Sequence, residues 1–178
     1  MDWNKLKFTK LENEIIEFLF RNPTSIFNGK ELANSLNVSQ TAIAKSVKNL
    51  SKLELLIVEK KIILSIKLNR MNKEIFTLKK IFNLKEMYST GLVSNLSDVF
   101  AGATIVLFGS YSHGEDTEGS DIDIAIIGYG EKKLDLERFE KKLERKIQLH
   151  FFKKDNEIHK NLKENIINGI ILEGAVKL

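Results

Sequence analysis

Ile105-Val106-Leu107-Phe108-Gly109-Ser110-Tyr111-Ser112-His113-Gly114 is followed by Glu115-Asp116-Thr117-Glu118-Gly119 and then Ser120-Asp121-Ile122-Asp123-Ile124-Ala125-Ile126-Ile127. The apolar run from Thr104 to Phe108 is rich in β-branched residues and stops at a glycine, so it reads as a buried strand. Gly109 and Ser110 open a tight strand-to-helix turn, where free backbone N–H groups can receive phosphate oxygens. Gly114 and Gly119 keep the connecting loop permissive. From Ser120 to Ile126 polar and apolar residues alternate. Asp121 and Asp123 therefore share one face of a strand, with Ile122 and Ile124 on the other.

Two carboxylates so spaced lie about 7 Å apart by Cα. That suits one or two Mg²⁺ (or Mn²⁺) ions, which want hard oxygen ligands and leave room for phosphate and water. A Gly-Ser turn nearby would hold the β- and γ-phosphates of a nucleotide. A calcium loop fails on spacing, since the acids at 115, 116, 118, 121 and 123 do not follow the alternating order that such loops need. A solvated acidic hairpin is the plain alternative. The pattern G-S-x-x-x-G, five residues, then S-D-I-D resembles the polymerase-beta-type nucleotidyltransferase superfamily, most closely its minimal and kanamycin-nucleotidyltransferase-like members. The resemblance implies an α+β chain whose residues 102–178 form a small mixed sheet with flanking helices. It implies Mg²⁺ (or Mn²⁺) as cofactor and a nucleoside triphosphate (NTP) as substrate or ligand. It assigns nucleotide binding to Gly109, Ser110, His113, Gly114 and Ser120, and metal binding and catalysis to Asp121 and Asp123.

Two positions depart from that family. Its third carboxylate falls on the strand after a charged helix, and here Ile147-Gln148-Leu149-His150 puts Gln148 in its place. Glutamine is neutral, a poor Mg²⁺ ligand, and cannot take the acceptor's proton. His150 shares the strand face of Gln148 and is the substitute base, against the alternative of a structural histidine. His113 stands where relatives often carry an arginine facing the phosphates.

The first part of the chain has a different character. Residues 1–69 hold eleven Lys/Arg against seven Asp/Glu, whereas 70–178 hold seventeen of each, so the whole +4 excess lies in front. Apolar spacing predicts helices over Leu11–Phe20, Glu31–Leu36 and Gln40–Leu53, with Ile26 and Phe27 packed inward between the first two. Ser39 is placed to cap the third, which buries Ile43, Val47, Leu50 and Leu53 and turns Gln40, Thr41, Ala44, Lys45 and Lys48 outward. Leu55 to Leu68 reads as two strands with a charged tip at Glu59–Lys61. This order resembles a winged helix-turn-helix domain over residues 9–69. It implies double-stranded DNA as partner, with Ser39, Gln40, Thr41, Lys45, Lys48, Lys60 and Lys61 in contact. A small helical protein-docking domain is the alternative.

The division expected is therefore 1–69, a linker helix region over 70–101, and 102–178. The linker is one helix from Asn72 to about Tyr88, broken near Gly91; its apolar stripe is core or a homodimer seam. Charged helices are expected over Lys132–Lys146 and Asp155–Asn168. With 43% apolar residues, no cysteine and no apolar run of membrane length, the chain lacks disulfides, thiolate metal sites and membrane spans. Met1 to Lys5 show no apolar core of a signal peptide, so a cytoplasmic location is expected. Three functions stay open: a nucleotidyltransferase moving a nucleoside monophosphate (NMP) to an unknown hydroxyl; a catalytically impaired nucleotide sensor that tunes DNA binding; and an antitoxin-type partner of a small helical protein.

Overall fold

The computed structural model describes residues 7–60 and 64–175. It separates into two compact units, with the division between Leu78 and Lys79.

In the first unit, α1 (Lys10–Arg21) begins at Thr9, whose hydroxyl accepts from the Glu12 amide while the Glu12 carboxylate accepts from the Thr9 amide. Asn28 and Glu31 repeat this reciprocal cap at α2 (Gly29–Ser35). The Ser39 hydroxyl accepts from the Ala42 amide at 3.2 Å and starts α3 (Gln40–Lys52). An antiparallel hairpin follows, β1 (Leu56–Lys60) and β2 (Leu64–Leu68). Ile15, Leu19, Leu32, Ile43, Leu50, Leu55 and Ile66 form its core. Phe27 exchanges both backbone hydrogen bonds with Ile66 and sets its ring edge-on against Phe18. Ile26, expected inside, is 60% exposed. Extended pairing through Phe27 turns the neighbouring side chain the other way. Of the expected charged tip, Glu59 and Lys60 end β1, whereas Lys61, like Met1–Lys5, lies outside the described residues.

Helix α4 (Lys73–Ser89) spans the division, and Gly91, at φ +79°, separates it from α5 (Leu92–Val99). In the second unit, the described residues form a four-stranded mixed sheet ordered β5-β4-β3-β6. Strand β3 (Thr104–Phe108) lies antiparallel to both β4 (Ile122–Ile127) and β6 (Ile170–Glu173), while β4 runs parallel to β5 (Ile147–Phe152). One face of the sheet packs Ile105, Leu107, Ile122, Ile124, Ile126 and Ile147 against Met87, Leu92, Val93, Leu96 and Phe100. The other packs Val106, Phe108, Ala125 and Ile127 against Ile158 and Ile166. The period of two in β4 thus serves two cores, and leaves Asp123 at the end of the second face. Gly169 admits β6 to the edge, since a Cβ there would clash with the Leu107 carbonyl oxygen.

Two helices come out shorter than the charge patterns suggest. Helix α7 covers only Glu137–Leu143. The Asp135 carboxylate accepts from the Glu137 amide and starts the helix there, and Glu144, at φ +54°, turns the chain toward β5. The expected Asp155–Asn168 helix is a 3₁₀ turn at Asp155–Glu157 followed by α8 (Lys160–Ile167). The Glu157 carboxylate holds the Lys153 amide at 2.9 Å, so the first turn folds back on the end of β5. No helix among the described residues is long and apolar enough to cross a membrane.

Glu12 is buried and also accepts from Asn49 of α3 at 3.1 Å. Burial raises its pKa, but the Thr9 amide, Asn49, the Thr9 side chain and the charge of Lys45 together hold it below the usual value. A depressed folded-state pKa stabilises above the unfolded value, and that contribution is lost as pH falls through the folded one. Glu12→Gln is therefore expected to lower stability at pH 7 by about 1–2 kcal/mol. The gap to wild type should narrow from about pH 5 downward, as read from urea midpoints.

Candidate functional site

The last residue of β3, Phe108, pairs across the ladder with Asp123 of β4. The chain then turns at Gly109, φ +73°, into the single-turn helix α6 (Gly109–His113), which Gly114 ends at the same positive φ. The Ser112 hydroxyl donates to the Gly109 carbonyl at 2.7 Å, and the Glu115 amide donates to the Ser110 carbonyl at 2.9 Å. A Cβ added to Gly109 would stand 2.8 Å from Asp123 Oδ2. The glycine corner and the acid are thus in contact, and only a residue without a side chain fits between them.

Asp121, immediately before β4, is exposed, and Asp123 is half-buried. Between them Ile122 anchors the strand, donating its amide to the Lys146 carbonyl at 2.8 Å. Parallel pairing places Gln148 beside Asp123 and His150 beside Ala125. The Gln148 side-chain amide reaches Asp121 Oδ2 at 3.5 Å, and His150 Nε2 meets Asp123 Oδ1 at 3.0 Å, with its ring edge-on to Phe108. Each acid therefore has a β5 neighbour. The Ser120 hydroxyl accepts from the Thr117 amide and closes the turn before Asp121. His113 is half-buried at the end of α6, as is Ser110 at its start; Gly114 is buried.

Asp121 also lines a cavity of about 400 Å³ with Gly119, Ser120, Glu140, Arg145 and Lys146, which Gly109, Ser110 and His150 do not line. A larger cavity in each unit, of about 570 and 670 Å³, is lined by neither Asp121 nor Asp123. The contacts at Gly109, rather than cavity size, define the site. On the cavity wall, Lys146 donates to Glu140 at 2.7 Å. Glu140 is held below the usual carboxylate range by that bond and by the Ile147 amide. The Lys146 ammonium is raised by the hydrogen bond and charge of Glu140, and further by the charges of Glu137 and Asp121.

Among the described residues no three or more His, Cys, Asp or Glu form a metal cage. Mg²⁺ is commonly held by one or two carboxylates completed by substrate phosphates and water. Asp121 and Asp123 fit that need.

Beneath the loop lies a buried cluster that the sequence reading missed. Both Asp116 oxygens lie 2.6 Å from Lys79 Nζ, and the Asn83 amide donates to Asp116 Oδ1 at 2.7 Å and to the Tyr111 carbonyl at 2.9 Å. Arg145 Nη2 is 3.8 Å from the same carboxylate. The available signal was polar residues at Lys79 and Asn83, one turn apart and at helical spacing from Ile75 and Met87 on the buried stripe of α4.

In the first unit Gln40, Thr41, Ala44, Lys45 and Lys48 are all exposed on α3, and Lys60 is exposed at the end of β1. Ser39 is exposed, with its hydroxyl engaged as the α3 cap.

Residues 90–172 match the family of nucleotidyltransferase domains, and residues 12–62 match an HTH domain family. The chain carries a nucleotidyltransferase domain behind an N-terminal helix-turn-helix domain, in an α+β arrangement. No curated protein matches it. A solved structure of a ZitR mutant from Lactococcus lactis is 18% identical, with a TM-score of 0.41 over 55% of this chain and 65% of that one. This chain thus spans less than two thirds of the ZitR structure.

Gly109→Ala is expected to cost about 1–3 kcal/mol, from positive-φ strain and the clash with Asp123. Gly119→Ala, with nothing within 4 Å of its Cβ, should stay within about 0.5 kcal/mol of wild type. Chemical denaturation of the two variants checks the contrast.

Proposed function

We propose that the C-terminal unit is a metal-dependent nucleotidyltransferase, and that the N-terminal unit binds double-stranded DNA. One observation carries the first reading: Gly109 lies against the Asp123 carboxylate. Backbone donors suited to phosphate and oxygens suited to a hard cation meet there. Gly109, Ser110, His113, Gly114 and Ser120 line the triphosphate. Asp121 and Asp123 hold Mg²⁺ (or Mn²⁺), which when bound supplies neutralisation of phosphate charge. The acceptor oxygen bonds to the α-phosphorus as the bond to the bridging oxygen breaks, and diphosphate leaves. The acceptor's proton passes to His150, whose ring Asp123 orients.

Gln148 supports a second reading. It stands 3.5 Å from Asp121 with no proton-accepting group, so the site would bind NTP without turning it over and report it to the DNA-binding unit. α-Labelled NTP separates the two. Transfer predicts a labelled product, lost to background in Asp121→Ala with Asp123→Ala, and a rise of about tenfold or more in Gln148→Asp. Calorimetric binding of Mg²⁺·NTP with no product would leave the sensor reading standing, and absence of binding would sink both.

The DNA reading rests on the helix-turn-helix domain and the exposed polar face of α3. Lys45→Ala with Lys48→Ala is expected to weaken binding to duplex DNA and to flatten the log K against log salt slope by about 2. A slope unchanged from wild type would place the phosphate contacts elsewhere.

A further inference from the structure

We infer that Lys79 and Asn83 of α4 are positioning residues for the nucleotide site, acting through Asp116. The inference rests on the nucleotide-site reading for its consequence, and on geometry for its cause. Of the acids between Glu115 and Asp123, only Asp116 is buried, at 1% exposure. Lys79 and Asn83 are equally enclosed, at 2% and 1%. Asn83 holds two separate pieces of the site at once: the Asp116 side chain in the loop, and the Tyr111 carbonyl inside α6. Lys79 closes on the same carboxylate and lies 5.8 Å from the Tyr111 ring. Arg145 approaches it from the chain entering β5, three residues before Gln148. One buried carboxylate therefore gathers the phosphate corner, the loop leading to both acids, and the approach to the strand that carries their neighbours.

A buried ion pair is a weak device for stability, since well-packed apolar groups of like volume do as well or better. What it supplies is one geometry. Apolar packing tolerates a shifted loop, whereas Asp116 has its partners in a single place. Within the loop the Glu115 amide donates to the Ser110 carbonyl and the Thr117 amide to the Ser120 hydroxyl, and two glycines, Gly114 and Gly119, flank and interrupt it.

The test uses the full chain with Lys79→Met plus Asp116→Asn, which removes both charges together so that neither is left buried alone. Asn83→Ala is the second variant, leaving the ion pair in place and cutting the tie to Tyr111. The readouts are amide hydrogen exchange and calorimetric affinity for Mg²⁺ with each of the four common NTPs. Positioning predicts exchange at least about tenfold faster at Glu115 and Thr117, with Ile105 and Ile124 unchanged. It also predicts NTP affinity at least about tenfold weaker, with Asn83→Ala moving both readouts in the same direction and Lys79→Arg with native Asp116 restoring part of the affinity. Loop exchange and affinity within about twofold of wild type in both variants would overturn the inference. So would equal acceleration of every amide in the sheet, which marks a purely structural role. If wild type binds no NTP, the nucleotide reading fails, and the exchange data alone decide whether the cluster fixes the loop.

Discussion

The second unit is organised around the Asp116 carboxylate. A carboxylate at 1% exposure without partners would be prohibitive in a folded chain. Lys79, at 2.6 Å from both oxygens, makes its burial tolerable, and removing that one partner would cost about 3–5 kcal/mol. The consequence reaches beyond stability. With Asp116 fixed, Tyr111 is fixed through Asn83, and the loop between α6 and β4 has one path across the sheet. The glycine corner and the two acids of the proposed site sit at the two ends of that path.

The ends are constrained differently. At the start, Gly109 is required by contact: φ of +73° and the Asp123 oxygen together leave no room for a side chain. At the far end, the requirement is register. Antiparallel pairing sets Phe108 against Asp123, and parallel pairing sets Gln148 against Asp123, so the ends of three strands bring the glycine corner, the candidate acids and Gln148 together. A one-residue slip would send both acids into the isoleucine core on the opposite face. That core is what holds the register.

Where a residue's neighbours in sequence dictate its state, the sequence was readable. The Gly-Ser turn, the alternation through Asp123, the Ser39 cap and the outward face of α3 all depend on spacings within one element. The failures have more than one cause: local caps and turns that end an element early, backbone facing, and partners distant in sequence. Charge spacing over Lys132–Lys146 is as helical as that of α7, but Asp135 caps at Glu137 and the helix ends before Glu144. Strand β6 is four residues long and owes its place to Gly169 lying against the Leu107 carbonyl. Lys79 drew no reading of its own, because its carboxylate lies thirty-seven residues away. Ile26 erred in the opposite sense, since apolarity predicts burial only where the backbone faces inward.

Gln148 is the residue on which chemistry and fold divide. Its backbone does all that the fold asks, completing the β4–β5 ladder opposite Asp123. Its side chain donates a hydrogen bond toward Asp121, whereas a carboxylate there would repel it. An acid pair with an amide beside it is thus easier to assemble in the absence of cations than a triad would be, and weaker at concentrating positive charge. His150 takes the other acid in the same way, from the next inward position of the strand. Strand β5 therefore satisfies both acids from within the protein. A cation or triphosphate bound at the proposed site would have to displace or share those contacts, and so would compete with Gln148 and His150 for the acids.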